Sequence, residues 1–259
     1  MIELLDITRI PAFFLILARL TGFILFVPLF AYTTIPNRVK ISLIIILSWI
    51  MYLTLDSPAL VVDGQYILLL LKELTIGIMI ALVAYIIFTA VQIAGGFIDF
   101  QMGFAIANVV DPQTGAQSPI IGQYYYIIAT LLLVATNAHH LLIDGIFYSY
   151  EFIGFQEMIP IHTESFAEFI ITTMSQMFLL AFQMAIPIVG TLFLVDVALG
   201  MIARTVPQMN VFIIGLPLKI LVSFFTIFIG FGFFGLLVSQ LFEYMFETMR
   251  QLMELIGGA

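Results

Sequence analysis

The chain has 259 residues, of which 63% are hydrophobic and only 9% charged, where an average soluble domain carries about 25% charged residues. This excludes a soluble globular enzyme, a disordered tail and a nucleic-acid binder, and a balance of 16 acidic to 8 basic residues (formal charge −8) argues further against binding a phosphate backbone. Without any Cys, disulfides, thiolate metal sites and Cys nucleophiles are excluded as well, leaving a multi-pass membrane protein or a subunit buried in a membrane assembly.

Glu3 and Asp6 stand where a secretory signal carries cations, and no small-residue cleavage site follows the first apolar run. That run is therefore expected to stay in the mature protein. Six apolar blocks follow in order, at residues 10–30, 41–55, 66–98, 124–150, 169–195 and 211–242. A bilayer core takes about 20 helical residues at about 1.5 Å each, so the second block is short and the third and sixth are too long for one perpendicular span. The blocks lack period-2 alternation, and in lipid only helices or closed barrels satisfy the backbone. The expected fold is all-α, a multi-pass helical membrane protein of long kinked helical hairpins, with breaks near Pro36, Pro112, Pro187 and Pro217.

Ser165-x-x-Glu168 is a capping-box pattern that places a helix start before the fifth block. Beyond the sixth block, Glu243, Glu247, Arg250 and Glu254 recur at helical spacing, with Met245, Met249, Leu252 and Met253 on other faces. This predicts an amphipathic helix end closed by Gly257 and Gly258. Its acidic polar face suits water or a protein partner better than anionic lipid. Arg38, Lys40 and Arg204 favour cytoplasmic first, third and fifth loops with both termini outside, while Arg9 and Arg250 oppose that orientation.

Two patterns resemble catalytic motifs. Gly230-x-Gly232-x-x-Gly235 matches a dinucleotide fingerprint by letter, but it lies inside an uncharged apolar run, where small residues let helices approach closely. His139-x-x-x-x-Asp144 has the spacing of some acyltransferases, yet His140 and Asp144 are i, i+4 on a helix, and no second catalytic group accompanies them. Neither a metal site nor a cofactor site is expected. Arg19, Lys72, Glu73 and Lys219 lie in or near apolar blocks; snorkelling or pairing within a bundle is the simple reading and a proton or ion relay the sharper one.

Two stretches carry more information. Residues 99–122 are apolar yet interrupted by Gly103, Pro112, Gly115, Pro119 and Gly122. Irregular backbone at membrane depth is tolerated where it is buried in protein or lines a cavity. This stretch reads either as a segment that fills a channel or as an ordinary connection between helices. Residues 196–219 gather Asp196, Arg204, Pro207, Gln208, Asn210 and Lys219 between two apolar blocks. These side chains can cap helix ends or hold a partner's backbone, and Arg204 needs a partner such as Asp196, Asn210 or a helix C-terminus.

These residues carry a family resemblance. Pro28 with Ile35-Pro36-x-Arg38-x-Lys40, Gln101-Met102-Gly103 with Asp111-Pro112 and then His139-His140, and above all Asp196-x-Ala198-Leu199-Gly200, Arg204-x-x-Pro207-Gln208-Met209-Asn210-Val211 and Gly215-x-Pro217-x-Lys219 make the chain resemble the FliR family over essentially its whole length. That family is the inner-membrane export-gate component of the flagellar type III secretion apparatus, and the injectisome relatives share its scaffold. Asn137-Ala138 departs from the Gly expected beside His139.

The resemblance implies a single export-gate domain over 1–259, with a FliP-like portion over 1–160 and a FliQ-like hairpin over 161–259. It implies assembly with FliP-like and FliQ-like subunits beside an FlhB-like protein, in the bacterial inner membrane at the flagellar basal body. Unfolded flagellar subunits would pass through the pore. The segment with Gly103, Phe104, Ile106, Asp111, Pro112, Gly115 and Pro119 would plug the closed pore, and the 196–219 cluster would serve an interface. The expected function is non-enzymatic; a small-molecule or ion transporter is the alternative.

Overall fold

Local chemistry sets where each apolar run begins and ends as a helix. The computed structural model describes residues 9–31, 35–56, 58, 60, 62–104, 119–155, 164–208 and 210–258. Pro11 occupies the first turn of α1 (Ile10–Phe26), where its missing N–H costs nothing, and the Val27 N–H closes the helix on the Phe23 carbonyl. Pro36 precedes α2 (Asn37–Thr54). Asp63 starts α3 (Gly64–Met102) by accepting the N–H groups of Gln65 and Tyr66 at 3.0 and 3.1 Å. The block read as one over 124–150 is two helices, α4 (Ile120–Ala135) and α5 (Ala138–Phe152). Between them Asn137 takes the left-handed backbone, φ 58°, a conformation that Asn tolerates better than most non-glycine residues. The Asn found in place of the expected Gly therefore serves the turn. α6 is Glu164–Thr205 and α7 is Val211–Gly257, with Gly258 left-handed after it.

Among the described residues there is no strand, and the fold is all-α. α2, α3, α6 and α7 are long and apolar enough to cross a membrane. At about 1.5 Å per residue, the 39, 42 and 47 residues of α3, α6 and α7 span about 60–70 Å. That is twice a bilayer core of about 30 Å, so long stretches of these helices run outside it or are strongly tilted. Pro187 and Pro217 do not end their helices; both are interior to continuous ones, each removing one ladder bond. Pro112 lies outside the described residues. α6 starts at Glu164, one residue before the expected Ser165, within the usual scatter of helix ends.

The chain forms two compact units, one within residues 1–87, 136–173 and 243–259 and the other within 88–135 and 174–242. In the first, α1 crosses α3 where both lack side chains. A Cβ on Gly77 would lie 2.0 Å from the Arg19 carbonyl oxygen, and one on Gly22 would lie 2.5 Å from that of Leu74. Leu15, Leu20 and Phe23 of α1 fill a core with Ile76 and Ile80 of α3, Leu142 and Ile146 of α5, and Met245 and Met249 of α7. The amphipathic end of α7 is as expected, with Glu243, Glu247 and Arg250 exposed and Met245, Met249, Leu252, Met253 and Ile256 buried.

The same core contains a charged network. Fully buried Arg19 donates to Glu73 Oε2 at 2.6 Å and Oε1 at 3.1 Å, to Ser149 Oγ at 2.8 Å and to the Ile153 carbonyl at 3.0 Å. Its guanidinium lies 3.6 Å above the Tyr150 ring, and the Tyr150 hydroxyl donates to Glu73 at 3.0 Å. Lys72 pairs with Glu73 at 2.9 Å and donates to the carbonyls of Gly154 and Phe155, each at 2.8 Å. The pairing reading of these three charges is thereby established, and the network ties the exit of α5 to α1 and α3.

In the second unit Phe88 of α3 packs edge-on against Tyr126 of α4, and Tyr125 lies 4.2 Å from Phe234 of α7. A Cβ on Gly95 would sit 2.2 Å from Gly122 Cα, so α3 and α4 meet backbone to backbone. Gly95→Ala is expected to destabilise the detergent-solubilised chain by about 1–3 kcal/mol or more, because backbone cannot swing aside as a side chain can. Gly64→Ala, with open space around it, should leave the melting temperature unchanged. Gly230, Gly232 and Gly235, by contrast, have nothing within 4 Å of a built Cβ. Among the described residues the close helix approach expected there does not occur, because this stretch of α7 presents an open face. Phe224, Phe225, Phe228 and Leu236 stand exposed on the same stretch.

Candidate functional site

The ends of four helices converge in the second unit around the interruption that follows α3. Gly103 takes φ +89° and ends α3 with its N–H on the Phe100 carbonyl; a Cβ there would meet Leu216 of α7 at 2.8 Å. Gln101, the penultimate residue of α3, sends its side-chain amide to Asp196 Oδ2 of α6 at 2.9 Å. Lys219 of α7 pairs with Asp196 Oδ1 at 2.5 Å and reaches the Gln101 carbonyl at 3.4 Å. A cavity of about 360 Å³ opens beside this triad, lined largely by apolar atoms of Met102, Leu199, Val211, Gly215 and Leu216.

Both sides of residues 105–118 are fastened to the same turn. Buried Asp99 accepts the Ile121 N–H at the start of α4 on Oδ2 at 3.0 Å, while its own carbonyl accepts the Phe104 N–H at 3.0 Å. An anion at a helix N-terminus gains from the unpaired N–H groups and the dipole. Pro119, whose carbonyl accepts the Gln123 N–H, rests its ring against Gly122. Of the residues read as plug, Gly103, Phe104 and Pro119 are thus placed at the two stems. Ile106, Asp111, Pro112 and Gly115 lie outside the described residues.

The structure divides the second expected cluster. Asp196 and Lys219 pair directly, and each also bonds to Gln101. Asn210 caps α7, its Oδ1 accepting the N–H groups of Phe212 and Ile213 at 3.2 and 3.4 Å. Arg204, Pro207 and Gln208 are exposed. With Asp196 held by Lys219 and Asn210 used as a cap, Arg204 is left in the last turn of α6, where a cation complements the helix dipole. Lys219→Met is therefore expected to lower complex assembly clearly more than Arg204→Met. The first leaves a half-buried carboxylate without its cation, and the second removes an exposed charge. Blue-native electrophoresis of membranes checks this, and equal effects would deny the triad its importance.

Sequence reasoning passed over Asp99 and the side chain of Gln101. A carboxylate at the end of an apolar block reads as a boundary, and only the packing of α3 against α4 turns it into a cap. His139 and Asp144 do not form an acid–base pair. Asp144 is exposed, and the buried Nδ1 of His139 has no hydrogen-bond partner among the described residues, its ring instead lying 4.2 Å from that of His140. Among the described residues no group of His, Asp and Glu is arranged to hold a metal.

A family model described as bacterial export proteins, family 1, matches residues 10–245. The flagellar biosynthetic protein FliR of Bacillus subtilis (strain 168) is 49% identical over 249 residues, 95% of this chain and 96% of that protein. The chain belongs to the FliR family of bacterial export proteins. The FliR protein of Escherichia coli (strain K12) is 27% identical over 80% of this chain and 79% of its own length. The Yop proteins translocation protein T of Yersinia pestis is 30% identical over 63% of each chain. The family match covers α1 to α6 and most of α7, and so includes the whole Gln101–Asp196–Lys219 triad and both stems of residues 105–118.

Proposed function

We propose that this FliR-family chain is a non-enzymatic subunit of the flagellar type III export gate. With FliP-like and FliQ-like subunits, and beside an FlhB-like protein, it forms the pore through which unfolded flagellar proteins cross the bacterial inner membrane at the basal body. Residues 103–119 plug that pore at rest. Family membership supplies the coarser statement, a membrane-embedded component of a bacterial protein-export apparatus.

The observation that supports the finer reading is the fastening of both stems of residues 105–118 by Asp99, next to a cavity whose polar groups are already engaged with one another. The open aromatic face of α7 supports membership of a larger assembly, since contiguous apolar surface marks a lipid or protein neighbour. A small-molecule transporter would need an open polar site in its spans, and the fully buried Glu73 has both oxygens occupied.

Co-expression with and without the FliP-like subunit tests the proposal. The chain should co-purify with FliP-like and FliQ-like subunits and fall severalfold in abundance when the FliP-like subunit is missing, because obligate oligomers often have no stable free protomer. Normal accumulation as a monodisperse monomer would sink it.

A further inference from the structure

In the first unit, the outer face of α5 and the C-terminal end of α7 enclose a groove of about 560 Å³. Its floor is apolar and adaptable, built from Phe152, Phe246, Met249 and Met253. Methionine thioethers re-pack around varied apolar surfaces, which suits a floor that must accept a foreign side chain. Gly145 keeps the groove open, because a Cβ there would already touch Met249 Cε at 3.3 Å.

The rim is charged and unbalanced. On α5, Asp144 and Glu151 are exposed two helical turns apart, and among the described residues neither is in an ion pair. On α7 the one cation of the rim, Arg250, is already engaged with Glu254 at 3.4 Å, and exposed Glu247 lies one turn before it. Anionic lipid is repelled by such a rim. A second copy of this chain is a poor occupant too, because its own amphipathic tail is acidic. What fits is an apolar stripe flanked by cations about 10 Å apart along a helix, the spacing of Asp144 and Glu151.

We propose that this groove receives a basic amphipathic helix of another protein, seating its apolar face on Met249 and Met253 and its cations on Asp144 and Glu151. This is the helix-in-groove mode of recognition, in which the floor gives affinity and the rim selects the partner by charge. The inference stands on the groove alone and does not depend on the export-gate reading.

The chain contains no Cys, so Leu141→Cys gives a single labelling position at the end of the groove. The full chain, labelled there with an environment-sensitive fluorophore and held in nanodiscs, is titrated with two synthetic helical peptides. Both have the same leucine stripe; one carries Lys on its flanks and the other Glu. The Lys peptide is expected to shift the emission saturably, and the Glu peptide to do so at least tenfold more weakly. The exposed double variant Asp144→Asn/Glu151→Gln should weaken the Lys peptide at least tenfold without disturbing the fold. Gly145→Leu, which fills the groove, should abolish the response. Equal binding of the two peptides, no binding of either, or an unchanged affinity in the double variant overturns the proposal. So does a disulfide linking two unlabelled Leu141→Cys chains, which would make a second copy the occupant.

Discussion

Removing residues 110–117 should leave the export complex assembled and make its membrane permeable to small ions. A pore wide enough for an unfolded polypeptide conducts ions unless something fills it at rest. A wall of rigid helices cannot both seal such a pore and later pass a chain. The stems that hold this segment do not involve the deleted residues: Asp99 keeps its bond to the Ile121 N–H, and Gly95 keeps its contact with Gly122. Assembly and leakage are therefore separable outcomes. Membrane potential, or uptake of a small solute, is measured in cells expressing all subunits together. A complex that assembles with wild-type conductance would make the segment a plain connector.

The second large effect concerns the buried network of the first unit. Glu73 accepts two bonds from Arg19, one from Tyr150 and a salt bridge from Lys72. Glu73→Gln removes the carboxylate that both cations contact, their side chains being 0% and 4% exposed. Leaving a buried charge uncompensated costs about 3–5 kcal/mol, comparable to a whole domain's margin of about 5–15 kcal/mol. Glu73→Gln should therefore abolish accumulation, and Arg19→Met should lower it less, because Lys72 and Tyr150 still satisfy the carboxylate. The double variant Arg19→Met/Glu73→Gln should be less harmful than the sum of its parts, as expected for contacting residues. Quantitative immunoblotting of membranes compares all three. Additive losses would mean that the charges act separately.

How much of this was legible from sequence can be read from particular residues. Apolar runs announce helices strongly, so the all-α class and most elements were visible. Proline was a poorer guide to their ends. Pro36 precedes a helix as expected, but Pro187 and Pro217 sit inside α6 and α7. One missing N–H is a small loss to a helix of more than 40 residues, and the neighbouring turns keep their bonds. Asn137 was the opposite case, a helix break with neither Pro nor Gly beside it, because the left-handed conformation is a choice that side-chain identity only permits. At the candidate site, the residue types at Asp196 and Lys219 were visible but their pairing was not. Contacts between distant helices depend on rotation about each axis, and an apolar run is too uniform to specify that.

The fastening of the stems by Asp99 also limits how far the segment between them can travel. Phe104 and Pro119 are both fastened beside Asp99, so covalent connectivity alone bounds the reach of any point between them. At roughly 3.4 Å per residue the segment's contour is about 50 Å, and its tip reaches no more than about 25 Å from the Asp99 anchor. On the proposed plug reading, the closed pore lies within that radius. On that reading, inserted glycines would extend the reach without moving the anchors, and loop length would become an adjustable control on how readily the pore opens.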